Sequence, residues 1–175
     1  YLVAFVLSIP AANYMIGNIG TFCVPEGPCL ISVAPGLTAP SGVLMVGLAL
    51  VLRDLVQRSL GINWALGAIL GGALLSGLVA TPELVLASTL AFLLSELADL
   101  AVYTPLQKKG LVIAVVASGI VGLVIDSALF LYMAFGSFDY IEGQIIGKMW
   151  MILLAIPVIQ YLRKREATEI DEIEQ

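Results

Sequence analysis

The chain has 175 residues, 60% of them hydrophobic and 12% charged, with a mean hydropathy of +1.03. A soluble domain carries about 25% charged residues, so this composition excludes a water-exposed globule and points to one polytopic membrane domain with no room for a nucleotide-binding module. The net charge is -5 and histidine is absent, which removes histidine metal ligands, histidine general bases and serine-histidine hydrolysis.

Apolar stretches at 1–19, 42–60, 63–80, 82–103, 111–135 and 144–162 predict an all-α bundle of six transmembrane helices, since roughly 20 residues at 1.5 Å each cross a hydrocarbon core. The first stretch has the length of a full span and no basic leader, so it reads as a helix rather than a signal peptide. Its Ala4, Ser8 and Ala12 form a small packing face. Asn13 and Asn18 are polar enough to contact a ligand or to bond across helices.

Residues 20–41 hold Pro25, Gly27, Pro28, Pro35, Gly36 and Pro40, which rules out one continuous helix. The segment reads first as a surface loop, although 30–37 is apolar enough to fold back onto the bundle as a lid. Cys23 and Cys29 in CVPEGPC either pair in an oxidising compartment or remain free thiols.

In the second helix Arg53 and Gln57 share a face, while Asp54 points about 100° away toward another partner or toward Arg58. The third carries Gly67, Gly71, Gly72 and Ser76, a face suited to packing within the bundle, with a homo-oligomer contact as the alternative. The fourth places Phe92, Glu96, Asp99 and Tyr103 at i, i+4, i+7 and i+11, one stripe of the helix. The fifth repeats Ser118, Gly122 and Asp126 at i+4, and the sixth presents Gln144 and Lys148 together. Trp64 and Trp150 read as interface anchors and then as stacking platforms. Residues 1–165 are expected to form one six-helix transmembrane domain, and 166–175, with Glu166, Glu169, Asp171, Glu172 and Glu174, a solvated acidic tail.

The connections alternate in basic content. Arg58, the pair Lys108 and Lys109, and Arg163, Lys164 and Arg165 all fall on one side, which the positive-inside rule assigns to the cytoplasm, together with both termini. Six ionisable groups lie inside the spans: Arg53, Asp54, Glu96, Asp99, Asp126 and Lys148. Left unpaired, they would cost on the order of 15 to 20 kcal/mol, so they face one another, a polar cavity or a ligand. Four acids against two bases leaves two surplus negative charges, which calls for a proton, a cation or a cationic ligand. Asp54, Asp99 and Asp126 are therefore candidates for ion or proton coupling. The plainer reading has Arg53 neutralising Asp54 or Glu96 while Lys148 snorkels to the outer interface.

The strings TAPSG at 38–42, RDLVQ at 53–57, SELAD at 95–99 followed by VY, IDS at 125–127 and GQIIGK at 143–148 resemble the vitamin uptake transporter family, also known as the queuosine precursor transporter family. The resemblance runs through all six helices in order. It implies import of 7-deazaguanine bases bearing a cyano or aminomethyl group across the cytoplasmic membrane of a prokaryote. The chain is more compact than the longer branch of that family and has RDLVQ where that branch carries a different acidic motif.

Such a base offers a ring N-H beside an amino group, which a carboxylate can accept in two parallel hydrogen bonds, and a carbonyl that wants a donor. Glu96 is the expected base reader, with Asp99, Arg53, Gln57, Asp126, Gln144, Lys148, Asn13 and Tyr103 completing the pocket. Phe92, Tyr103, Phe130 or Trp150 could cover the ring. Facilitative or proton-linked alternating access is the expected mechanism. The expected partners are the small-molecule base and membrane lipid, without nucleic acid, metal or cofactor. The alternatives are a substrate-binding subunit of a vitamin importer that borrows a separate energising complex, and a non-transport scaffold or intramembrane enzyme.

Overall fold

The computed structural model describes residues 1–25 and 27–173, with side chains to residue 161 and at 164. It contains α1 (Leu2–Asn18), a sheet of β1 (Phe22–Cys23), β2 (Cys29–Ala34) and β3 (Leu37–Pro40), then α2 (Val43–Leu60), α3 (Ile62–Val79), α4 (Val85–Leu106), α5 (Leu111–Phe135) and α6 (Ile141–Ile173). The helices α3, α4, α5 and the Ile141–Tyr161 part of α6 are long and apolar enough to cross a membrane. The other two differ for identifiable reasons: α1 is apolar but has 17 residues, and α2 carries Arg53, Asp54 and Arg58.

Helix α2 is the hub of the bundle and touches the other five helices. Every residue from 49 to 57 along it is buried, so Arg53 and Asp54 meet protein on all sides and never lipid. Glycine makes one of these approaches close enough: a Cβ on Gly47 would stand 2.8 Å from the Cα of Lys148 on α6. The exterior of the bundle is apolar, and charges lie buried within its interior. Leu78 is 82% and Leu86 71% exposed, while Arg53, Asp99 and Lys148 are 0% exposed. An apolar exterior around a charged interior is stable only in hydrocarbon, where internal partners must satisfy every polar group.

The all-α expectation needs one correction. Residues 20–41 do not form a plain loop but a three-stranded antiparallel sheet in the order β1-β2-β3. Proline and glycine there forbid a helix, yet they build a hairpin: Pro35 and Gly36 turn the chain between β2 and β3, and Gly36 sits at φ +74°, where a side chain would be strained. Cys23 and Cys29 are joined in a disulfide that ties β1 to β2. The sheet lies on the bundle, β2 and β3 against α6 and β2 against α1. Trp150 Nε1 donates to the Val33 carbonyl at 3.1 Å, and Ser41 Oγ to the Met15 carbonyl at 2.6 Å.

Two helices also differ from expectation at both ends. Thr81 opens a turn closed by the Leu84 amide, so α4 begins at Val85 rather than 82 and runs on to Leu106. Helix α6 begins at Ile141 and continues to Ile173, because its polar end is rich in Glu, Lys and Arg, which favour helix without needing lipid. The side chains of Arg163, Arg165, Glu166, Glu169, Asp171 and Glu172, and all of Glu174, lie outside the described residues.

Candidate functional site

The centre of the bundle is organised by one guanidinium. Arg53 Nε donates to Glu96 Oε2 at 3.2 Å, Nη1 to Gln57 Oε1 at 3.0 Å, and Nη2 to Asp99. Nη2 also lies 2.8 Å from Asp54 Oδ1. A planar fork with several donors can hydrogen-bond to three groups and ion-pair with a fourth at once. The network continues outward: Gln57 Nε2 donates to Thr104 Oγ1 at 3.0 Å, and Ser118 Oγ to Asp54 Oδ2 at 3.1 Å. The Tyr103 ring stands 5.6 Å from the Arg53 guanidinium carbon, within cation-π range. Asp54 Oδ1, Asp99 Oδ2 and the Tyr103 hydroxyl are buried without a hydrogen-bond partner.

A second pair joins α5 to α6. Lys148 Nζ donates to Asp126 Oδ2 at 2.6 Å and to Ser127 Oγ at 2.8 Å. Lys148 is fully buried and Asp126 is 7% exposed, so Lys148 does not snorkel to an interface. Asp126 faces a cavity of about 70 Å³ whose wall comes from α1, α2, α3, α4, α5 and α6 and from the end of the sheet at Pro40. Asn13 and Gln144 supply amides, Ser8, Ser76 and Ser88 supply hydroxyls, and Phe92 and Phe130 supply aromatic surface.

The expected site residues therefore divide into two groups. Asn13, Asp126 and Gln144 line the cavity, with Lys148 directly behind Asp126. Arg53, Asp54, Gln57, Glu96, Asp99 and Tyr103 form the adjoining network and are not on the cavity wall. The stripe on α4 links the two: Phe92 is on the wall, and Glu96 follows one turn later on the same face. Asp54 takes a different partner, Ser118 of α5, through Oδ2, and pairs with Arg53 as well through Oδ1. Trp150 serves the sheet rather than the cavity. Ser8 and Ser76, first read as small packing positions, and Ser88 add polar groups to the wall, and Ser118, read the same way, holds Asp54. Their only sequence signal was a hydroxyl on an otherwise apolar helix face. Among the described residues no group of three or more acidic, cysteine or histidine side chains is arranged to hold a metal.

A family model described as "Putative vitamin uptake transporter" matches residues 44–162, which span the hub helix, both charged clusters and most of α6. The chain belongs to this vitamin uptake transporter family. Membership accords with a multi-pass bundle that keeps ionisable groups beside an internal cavity, and it makes the chain a transport protein. No curated protein and no solved structure matches the chain.

Proposed function

We propose that the chain imports 7-deazaguanine precursors of queuosine into a prokaryotic cell across its cytoplasmic membrane. The observation that carries the reading is the cavity wall itself: Asp126, Gln144 and Asn13 converge beside the aromatic rings of Phe92 and Phe130, the mixture of acceptors, donors and stacking surface that a planar purine-like base requires. Glu96 reads the base when the α4 stripe turns toward the cavity, with Asp99, Gln57 and Tyr103 behind it.

Transport is facilitative or proton-linked alternating access. Asp54, Glu96 and Asp99 around Arg53 carry two surplus negative charges if all ionise, so a proton taken up there and released on the other face couples charge balance to the conformational cycle. The helices of residues 1–165 form the carrier, both termini lie in the cytoplasm, and residues 166–175 form an acidic tail there. Expression in a strain that depends on external precursor, with accumulation of labelled deazaguanine, tests the reading; no accumulation above the empty-vector control rejects it. In the alternative, the chain is the substrate-binding subunit of a vitamin importer with a separate energising complex. Uptake by the purified protein alone in liposomes excludes that arrangement.

A further inference from the structure

The cavity lies toward one end of the bundle. Each helix walls it with the half that faces the sheet: α3 through Ser76 in its last turn, α4 through Ser88 in its first, α5 through Phe130 near its end and α6 through Gln144 in its first turn. Further along α2 and α4 stand Arg53 and Glu96, so the ion-pair network closes the opposite end. Backbone closes the end beneath the sheet. Pro40, the last residue of β3, and Gly42 are both on the wall. A Cβ on Gly42 would stand 2.7 Å from the Ala12 carbonyl oxygen of α1, and one on Gly143 of α6 would stand 2.8 Å from the Thr38 carbonyl carbon of β3. The strand and its junction with α2 are therefore wedged between α1 and α6 with no gap on either flank.

We infer that the disulfide-tied sheet is the outer gate of this cavity, and that Trp150 and Ser41 are its latches. The inference rests on the import reading and its orientation, and adds the place where cargo enters. The sheet holds together more firmly than it is moored. Within it the Cys23–Cys29 disulfide joins β1 to β2, and β2 pairs with β3 from Leu30 opposite Pro40 to Ala34 opposite Leu37. Its moorings are single hydrogen bonds, from Trp150 Nε1 to the Val33 carbonyl at 3.1 Å and from Ser41 Oγ to the Met15 carbonyl at 2.6 Å. Apolar seating on α6 completes them, where a Cβ on Gly147 would stand 3.1 Å from Val33 Cγ1. One hydrogen bond contributes little net free energy, so a unit held this way opens locally while the helices beneath stay packed.

The test is the reactivity of a thiol on the cavity wall, Ser76→Cys, toward a small impermeant methanethiosulfonate added from either side of membrane vesicles, with the native disulfide intact. From outside, labelling should be much slower than at Asp139→Cys in the exposed turn between α5 and α6. Trp150→Phe keeps a ring and deletes the donor, and Ser41→Ala deletes the other latch; each should speed labelling from outside about fivefold, the population shift expected from one lost hydrogen bond. Labelling from the cytoplasmic side should not change. Asn13→Cys is the second reporter should Ser76→Cys not fold. Native labelling as fast as at Asp139→Cys overturns the inference, and so does an unchanged rate in both latch variants. Equal acceleration from both sides also overturns it, because the sheet would then only stabilise the bundle. Entry confined to the cytoplasmic side, or no labelling in any variant, counts against it as well. Gated labelling in a protein that accumulates no deazaguanine supports the gate and rejects the cargo alone.

Discussion

Arg53 on α2 and Glu96 on α4, 43 positions apart, are joined by a 3.2 Å hydrogen bond from Nε to Oε2. The same guanidinium reaches Asp54, Asp99 and Gln57, so a single cation holds three acids from two helices. Such a centre is asymmetric in its energetics: pairing the charges contributes modest net stability, but removing the shared partner leaves buried like charges behind.

Arg53→Met should therefore destabilise the bundle by about 3 to 5 kcal/mol. Arg53→Lys should fall between it and the native protein, because a single ammonium lacks the planar fork that reaches Glu96, Gln57 and Asp99 together. Thermal unfolding of detergent-purified protein measures this. A native-like melting temperature for Arg53→Met would show that the three acids do not depend on the guanidinium.

Glu96→Gln separates fold from function. The amide keeps an oxygen that can accept from Arg53 Nε, so the variant should remain extractable and monodisperse. It exchanges the second carboxylate oxygen for a donor, which removes the acceptor pair a deazaguanine edge requires. Uptake should fall to background. Normal uptake takes Glu96 out of the cargo path.

Contact between α2 and α6 at Gly47 is expected to be intolerant of side chains. Gly47→Val drives carbon atoms into the Lys148 backbone and should cost about 1 to 3 kcal/mol through overpacking, with uptake lost as the Lys148-Asp126 pair is displaced. Gly71→Ala is the control. Nothing lies within 4 Å of its added Cβ, so stability and uptake should match the native protein. Equal tolerance at both positions would mean that α2 and α6 do not need this close approach.

The disulfide between Cys23 and Cys29 offers a test of orientation. If the sheet lies outside, an impermeant maleimide should label these cysteines in intact cells only after treatment with an impermeant reductant. In a Cys23→Ser/Cys29→Ser background, Lys108→Cys should label only after permeabilisation. The opposite pattern reverses the topology. Losing the cross-link should also weaken the sheet by about 2 to 4 kcal/mol if it behaves as a typical bridge, which proteolysis of the outer segment can follow.

The helices were legible because hydropathy and period are local properties. The i, i+4, i+7, i+11 pattern of Phe92, Glu96, Asp99 and Tyr103 places all four on one buried face, and α5 begins and ends at the residues expected. The sheet was not legible. Its strands are short, its Pro35-Gly36 turn reads equally well as loop, and its stability comes from a cross-link and from packing against α6. The candidate site was legible as a set of residue types and illegible as a geometry: nothing in the order of residues separated the acids around Arg53 from the acid that faces the cavity.

Residue order alone determined that this chain must live in a bilayer, where its helices lie, and that its buried charges must find partners, because each conclusion depends on the cost of moving one side chain or one backbone segment out of water. Tertiary structure alone decided who those partners are. Arg53 meets Asp99 and Lys148 meets Asp126 across 46 and 22 positions, and those meetings depend on the rotation and depth of one helix against another. Close contacts such as Gly47 on Lys148 set that rotation and depth, and no single helix encodes them.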